Sequence, residues 1–252
     1  MALINIVYSE RTPVINWSIY LPETPTGYNV YFGNTLAGEW TKVNYQPVEL
    51  LYYADSLHLL TTEKRGFWKV TAILADGSEV AHVGPARSIN DARQAFVGRV
   101  LAEIQRRHRL MLSNFSGESC TAYFRKAAGE ACSCVKFLSD GARSNGLQNY
   151  CPECYNVFIV GGFVKAENVL IRVRSSQEAF EAAPEGYKVT QSQEAWVGTY
   201  PYFDIGDFFV RNNGERFSVT NVKRREMQGV MTLQKLTLQQ IEPQHPLHTV
   251  NL

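Results

Sequence analysis

Between Cys132 and Cys154 the chain reads Cys-Ser-Cys, sixteen residues, then Cys-Pro-Glu-Cys, and this window holds four of the five cysteines. Each close pair can turn two sulfurs toward one point and the loop can bring the pairs together, which is the spacing that encloses a tetrahedral zinc ion. The first pair is Cys-x-Cys rather than Cys-x-x-Cys, a variation on that spacing. Ser139-Asp140-Gly141-Ala142-Arg143-Ser144-Asn145-Gly146 is turn chemistry with little to bury, so the excursion needs its ends clamped. Three states are open for Cys132, Cys134, Cys151 and Cys154: ligands of a structural zinc, disulfides across the loop, or free thiols. A redox Cys-x-x-Cys opens a helix after a strand, whereas Cys151 and Cys154 precede aromatic and β-branched residues with glycines behind them. No His, Asp or Glu is placed to make an open catalytic site, and Cys120 stands apart as a buried or spare thiol.

Bulk composition narrows the classes. A length of 252 residues allows one large domain or two small ones, and 45% hydrophobic with 19% charged residues is ordinary globular composition. A formal net charge of +1 argues against a strongly basic nucleic-acid binder while leaving room for local patches. Aromatics at 12% lean toward β structure and broad contact surfaces. Met-Ala-Leu-Ile-Asn-Ile has no basic leader region and no run approaches a membrane span, so the expectation is a cytosolic chain with no membrane partner, where zinc is favoured over disulfides.

Residues 2 to about 86 alternate as half-buried strands do: Ile15, Trp17 and Ile19; then Tyr28, Val30 and Phe32; then Trp68, Val70 and Ala72. Asp76-Gly77 is a two-residue hairpin signal leading into Ser78 to Val83. The order Trp17, Gly27-Tyr28-Asn29-Val30-Tyr31, Trp68-Lys69-Val70-Thr71-Ala72, Asp76-Gly77 and Gly84-Pro85 resembles a fibronectin type III domain over residues 1–87. Trp68 stands where that family usually has a tyrosine. The resemblance implies a β-sandwich that binds or decorates rather than reacts.

After Ser88 the period changes. Phe96, Val100, Ile104 and Leu112, with Val97, Leu101 and Met111, predict an amphipathic helix from about Asn90 to Leu112, capped by Ser88 or Asn90. Arg99, Arg106, Arg107 and Arg109 are either a docking face for an acidic partner or a solvated face suited to a helix end. Thr121 to Lys126 reads as a strand, and Val169, Ile171 and Val173 begin a second β section. Ser175 to Glu185 reads as a connection. Asn213-Gly214 between Phe208-Phe209-Val210 and Phe217-Ser218-Val219 predicts a hairpin, and Lys223 to Gly229 a link to a strand from Thr232 to Ile241. Strands of this kind close best as a small barrel. His245 and His248 have ligand-like spacing, but a proline-rich tail gives them nothing rigid, and the tail is expected on the surface or on a neighbour.

Phe124-Arg125-Lys126 before Cys132 and Cys134, Cys151-Pro152-Glu153-Cys154-Tyr155 running to Gly161-Gly162-Phe163, Tyr200-Pro201, Ile205-Gly206-Asp207, and Asn213-Gly214-Glu215-Arg216-Phe217-Ser218-Val219 follow one another in an order that resembles a tailed-bacteriophage neck protein of the head-tail connector or stopper class. Asn156-Val157 departs from it where a Gly-Thr turn is expected. The resemblance covers residues from about 90 onward. It implies a mainly β protein in which residues 88–252 form a helix, a Cys-rich, zinc-ribbon-like insertion and a small β-barrel. It further implies a virion structural protein forming a homo-oligomeric ring, twelvefold or sixfold, with a portal or adaptor protein above and a tail terminator or tail tube protein below. Double-stranded DNA would pass without sequence preference, in the virion neck after assembly in the host cytoplasm. Lys223, Arg224 and Arg225 are the basic cluster nominated for the DNA channel, against the simpler role of a charged hairpin tip.

Two other functions compete. A zinc-containing nucleic-acid-binding module would want a basic surface near the cysteines, and the window supplies only Lys136 and Arg143. A secreted enzyme with a fibronectin-like accessory domain would want a GxSxG elbow, a P-loop, a HExxH helix or paired carboxylates; Asp204 and Asp207 sit in turn sequence instead, so the expectation is a protein that is not an enzyme.

Overall fold

A computed structural model describes residues 3–9, 12–18, 21–57, 66–87, 92–134, 151–174, 177–183, 186–227 and 230–250. The chain divides into two compact units, Met1–Ala102 with Arg125–Val164, and Glu103–Phe124 with Lys165–Leu252. The described residues 125–134 and 151–164, grouped from the sequence with the C-terminal part, therefore belong to the first unit.

The strands described in the first unit are β1 (Leu3–Ser9), β2 (Thr12–Ser18), β3 (Gly27–Gly33), β4 (Thr41–Lys42), β5 (Tyr52–Ala54), β6 (Phe67–Ile73) and β7 (Glu79–Arg87). They form two antiparallel sheets, in the orders β1-β2-β5 and β4-β3-β6-β7. Alternation explains the core: Ile15 and Trp17 from β2 join Ile6, Tyr28, Val30, Phe32, Trp68, Val70 and Ala72 in one buried cluster fed by both sheets. Trp17 meets Tyr28 edge-on with centroids 5.4 Å apart, and Phe32 tilts onto Trp68 at 4.9 Å. Each such side chain contributes about 1.5–3 kcal/mol by leaving water.

The β6–β7 hairpin differs in detail from the two-residue expectation. Leu74 N donates to Ser78 O and Gly77 N to Leu74 O, so three residues, Ala75 to Gly77, make the loop. Gly77 takes the left-handed position at φ 81° that such a loop reserves for glycine.

The second unit holds β8 (Glu118–Arg125), β9 (Phe163–Val173), β10 (Gln177–Ala183), β11 (Gly186–Val197), β12 (Phe208–Val210), β13 (Arg216–Met227) and β14 (Val230–Gln240). Their order is β10-β11-β14-β13-β12-β8-β9, and β9 pairs back onto β11. Six of these strands thus close into a barrel, which leaves those strands no open edge. Phe124, which meets Phe203 at 5.0 Å, and Phe209, 5.7 Å from Phe217, share the inward parity, whereas Tyr123 and Phe208, at the opposite parity of β8 and β12, stack at 4.5 Å on the other face. Ile171, Val197, Val219, Leu236 and Leu238 are buried among the inward positions. The β12–β13 hairpin repeats the three-residue loop, with Gly214 at φ 86° and Arg211 N donating to Glu215 O.

Three expectations need correction here. Residues 177–183 are a strand, β10, paired along its length with β11 and with no barrel strand beyond it. Lys223 to Met227 continue β13 instead of linking strands. The tail is also anchored: Leu247 and Val250 are buried, and Arg216 donates from a guanidinium nitrogen to Leu247 O.

The helix α1 runs Ala92–Met111, followed by a π turn at Leu112–Ser116 that ends at Gly117. Its proposed caps lie outside the described residues. Among the described side chains, Leu101 and Gln105 of the helix and Leu112 of the turn are buried, with His108 half-buried, whereas Val100 and Met111 are exposed at 44% and 41%. The helix is turned about one residue from the apolar stripe read in the sequence, because Gln105 Nε2 donates to Met231 O at 2.9 Å and His108 Nδ1 lies 3.2 Å from Thr232 O, both carbonyls of β14.

Candidate metal centre

The four cysteines come from two short segments that run past each other. Ala131 bridges Ile159 in antiparallel fashion, Cys132 N donates to Phe158 O at 2.9 Å, and Val160 N donates to Glu130 O at 2.9 Å. Lys126 N donates to Gly162 O at 3.0 Å at the far end of this ladder. Cys151 and Cys154 are turned inward by a tight bend in which Tyr155 N donates to Cys151 O at 2.8 Å and Val157 N to Cys154 O at 2.9 Å. Asn156 Oδ1 accepts from Cys151 N at 3.3 Å. Around Asn156-Val157, where a Gly-Thr turn is expected, Tyr155 and Asn156 adopt left-handed backbone at φ 51° and 64°, with Phe158 at 70°. Asn tolerates that region, while Tyr and Phe occupy it only when neighbours compel them, at about 1–3 kcal/mol each.

The resulting sulfur geometry is compact. All four Sγ atoms lie within 4.8 Å of one another, with Cys132 to Cys151 at 3.6 Å and Cys134 to Cys154 at 3.4 Å. The four are free thiols, and these separations far exceed the ~2.05 Å of a disulfide. A tetrahedral zinc with sulfur ligands at about 2.3 Å puts its sulfurs about 3.8 Å apart, so the cluster already has the dimensions of a coordination shell. Cys132 and Cys154 are buried and Cys134 and Cys151 half-buried, and the Glu153 carboxylate lies 3.6 Å from Cys132 Sγ.

The thiols titrate unequally. Burial pushes Cys134 up, assisted by neighbouring thiols that favour its protonated form. Cys151 is drawn down to about 7: burial opposes ionisation, but the backbone N–H groups of Cys154 and Glu153 and the thiols of Cys132 and Cys154 support its thiolate. A thiolate is therefore readily formed at Cys151, and the Cys134 proton leaves easily only when a cation takes its place. Cys120 lies in β8, buried, with its thiol pushed up to about 12 chiefly by burial.

The basic candidates divide. Arg106 holds Glu103 through Nε at 2.7 Å and Nη2 at 2.9 Å, and Arg107 adds a contact at 2.9 Å; these hydrogen bonds, Arg106 first, hold Glu103 down to about 2. Both arginines lie on the solvated surface of α1, as does Arg109 in its last turn. Arg99 is on the helix backbone, and its side chain lies outside the described residues. Lys223, Arg224 and Arg225 are successive residues of β13, so they alternate between its faces. Arg224 is engaged: its Nη2 binds Asp204 Oδ1 at 2.6 Å and Phe203 O at 2.9 Å, and its guanidinium lies 5.3 Å from the Tyr202 ring centre.

Asp207 is buried and accepts from Asp204 N at 2.7 Å, so its carboxylate closes a turn, while the Asp204 carboxylate binds Arg224. His245 Nδ1 accepts from Leu247 N and His248 Nε2 lies 3.3 Å from Ile241 O, so both imidazoles are committed to the fold of the tail.

Gln234 went unnoticed in the sequence. Fully buried in β14, it accepts from Phe203 N at 3.0 Å and donates to Gly198 O at 2.9 Å and Pro201 O at 2.7 Å, pinning the loop from which Asp204 reaches Arg224. A polar residue at the same strand parity as Leu236 and Leu238 was the available signal. No protein-family model matches the chain, and a search of curated proteins finds no match.

Proposed function

We propose that this chain is a structural protein of the bacteriophage neck, one subunit of a homo-oligomeric ring that joins a portal or adaptor protein to a tail terminator or tail tube protein and lets double-stranded DNA pass. The observation that carries the reading is the closed six-stranded barrel with the C-terminal half of α1 hydrogen-bonded along β14, the architecture implied by the connector resemblance for residues from about 90 onward. The work of such a protein is geometric. Closed barrel strands resist deformation, and the outward faces of barrel and helix remain for a contact that repeats by rotation.

The first unit is read as a fibronectin type III-like sandwich decorating the neck, supported by antiparallel sheets of three and four strands around Trp17, Tyr28 and Trp68. Cys132, Cys134, Cys151 and Cys154 would hold a structural zinc. When bound, zinc supplies a four-way cross-link between thiolates that also adds folding free energy. The chain's own residues do the remainder: the Ala131–Ile159 bridge and the bend after Cys151 present the sulfurs at ligand spacing.

Electron microscopy of the purified full-length protein, alone and mixed with a portal, tests the reading. Closed rings are expected, and loosened rings after chelation. A protein that remains monomeric at high concentration and with the portal present overturns it.

A further inference from the structure

Four neighbouring barrel strands carry a row of cations in direct register. Arg172 of β9 faces Trp196 of β11, Trp196 faces Lys235 of β14, and Lys235 faces Lys223 of β13. All four side chains alternate with inward residues: Ile171, Ala195, Val197, Gln234 and Leu236 are fully or almost fully buried, so the row lies on the outside of the barrel. At about 4.8 Å between strands the row spans roughly 14 Å. Arg174 enlarges it, since the guanidinium groups of Arg172 and Arg174 both lie over the Trp196 indole, 5.9 and 5.3 Å from its centre.

Charge placement here works against the fold. Lysines directly opposite each other on adjacent strands destabilise a sheet, yet Lys223 and Lys235 are so placed. Glu194, bound to Lys235 Nζ at 2.6 Å, is the one described acidic side chain paired with the band, which leaves an excess of positive charge. The indole holds the two arginines in place by cation–π contact without using their N–H edges, and a guanidinium so held is pre-organised to donate in pairs to phosphate oxygens. A band with Lys223 at one end and an arginine pair at the other matches a linear polyanion better than a point anion. Measured along a DNA helix axis, 14 Å covers on the order of four phosphates of one strand.

We propose that this outward band, Arg172, Arg174, Lys235 and Lys223 around Trp196, is the surface on which the barrel receives the phosphate backbone of double-stranded DNA. It revises the nominated cluster: Lys223 belongs to the surface and Arg224 serves the fold. The choice of DNA as the polyanion rests on the connector reading, whereas the band's affinity for phosphates does not.

The test is fluorescence anisotropy of a short mixed-sequence DNA duplex titrated with the full-length protein over a salt series. Each phosphate contact contributes about 0.9 to the slope of log K against log salt, so Arg172→Gln/Arg174→Gln/Lys223→Gln should flatten the slope by about 2.7 and weaken low-salt binding by roughly tenfold or more. Arg106→Gln/Arg107→Gln, on the helix, should leave both unchanged, and Lys223→Gln alone should remove about 0.9 of slope, which guards against misfolding of the triple variant. An unchanged slope in a folded triple variant overturns the proposal, as does tighter binding of polyglutamate than of the duplex at equal salt. Ring formation is scored separately by microscopy. Rings with band-independent DNA binding sink this proposal alone, and band-dependent binding without rings supports it while sinking the connector reading.

Discussion

Replacing Gln234 by leucine changes volume little and removes three hydrogen bonds from one buried point. The Phe203 N–H loses its acceptor, and the Gly198 and Pro201 carbonyls lose a donor. A stranded buried N–H costs about 1–3 kcal/mol, and carbonyls with a second lone pair somewhat less, so the total is about 3–5 kcal/mol. That should lower the melting temperature of the second unit by on the order of 10 °C. Calorimetry measures the shift, and hydrogen exchange at the Phe203 amide locates it. Arg224 holds the same loop through Phe203 O and Asp204, so in a double-mutant cycle with Arg224→Gln the two losses should fall short of adding by about 0.5 kcal/mol or more. A loss below about 1 kcal/mol with the Phe203 amide still protected would refute the clamp, since the smallest cost for one stranded donor already reaches that value.

Gly162→Ala should weaken zinc uptake, because Gly162 sits at φ 59° and a Cβ there would lie 2.7 Å from the Cys154 carbonyl oxygen; strain of about 1–3 kcal/mol should appear as lost affinity in competition with a chromophoric chelator, and unchanged affinity would count against it. A thiol reagent applied near neutral pH should modify half-buried Cys151 first in the metal-free native protein and buried Cys120 only on unfolding, because Cys151 is drawn down to about 7 whereas burial raises Cys120 to about 12 and leaves little thiolate; mass spectrometry showing early modification of Cys120 would contradict that placement. Acidification should release zinc: with Cys134 pushed up by burial and Cys151 near 7, protons win the sulfurs as pH falls and lose them as it rises, so metal content that does not decline through the acid range would exclude thiolate ligation.

Much of the second unit was legible because its inward positions alternate. Val169 and Ile171, then Leu236 and Leu238, are buried as period two requires, and Asn213-Gly214 marked its hairpin. Strand β10 was not legible because Glu-Ala-Phe-Glu-Ala-Ala pairs only with β11 and has no barrel interior to write alternation into its sequence. Lys223 to Met227 escaped for a related reason: residues 223–226 are exposed on both faces of β13, so neither parity is apolar. The helix misled by composition. Gln105 and His108 are polar yet turn toward β14, where the Met231 and Thr232 carbonyls lie within their reach, while the apolar Val100 and Met111 face outward. The sulfur cluster was readable from spacing alone, because two thiols separated by one or two residues have few ways to point except together.

The packing of the cysteine segments assigns the clamp a task that spacing could not. Ala128, six residues after β8 enters its core at Ala122, belongs to the same buried cluster as Trp17 and Trp68. Both Ala127 N and Ala128 N donate to Glu49 O, Gly129 N donates to Pro25 O, and Lys126 Nζ pairs with Glu49 at 3.0 Å. This stretch is held from one side by the first unit and from the other by its ladder to residues 158–162. The ladder itself has few apolar side chains to bury and carries left-handed Tyr155 and Phe158, so its backbone bonds alone offset little of the entropy of ordering it. A four-thiolate metal contributes folding energy on the order of 10 kcal/mol, comparable with the whole stability of a small domain. Zinc bound at the sulfurs would therefore stabilise the strand-like stretch that delivers Ala128, and its removal should be felt first in the Trp17–Trp68 core instead of in the closed barrel, whose Phe209–Phe217 contact draws on none of these residues.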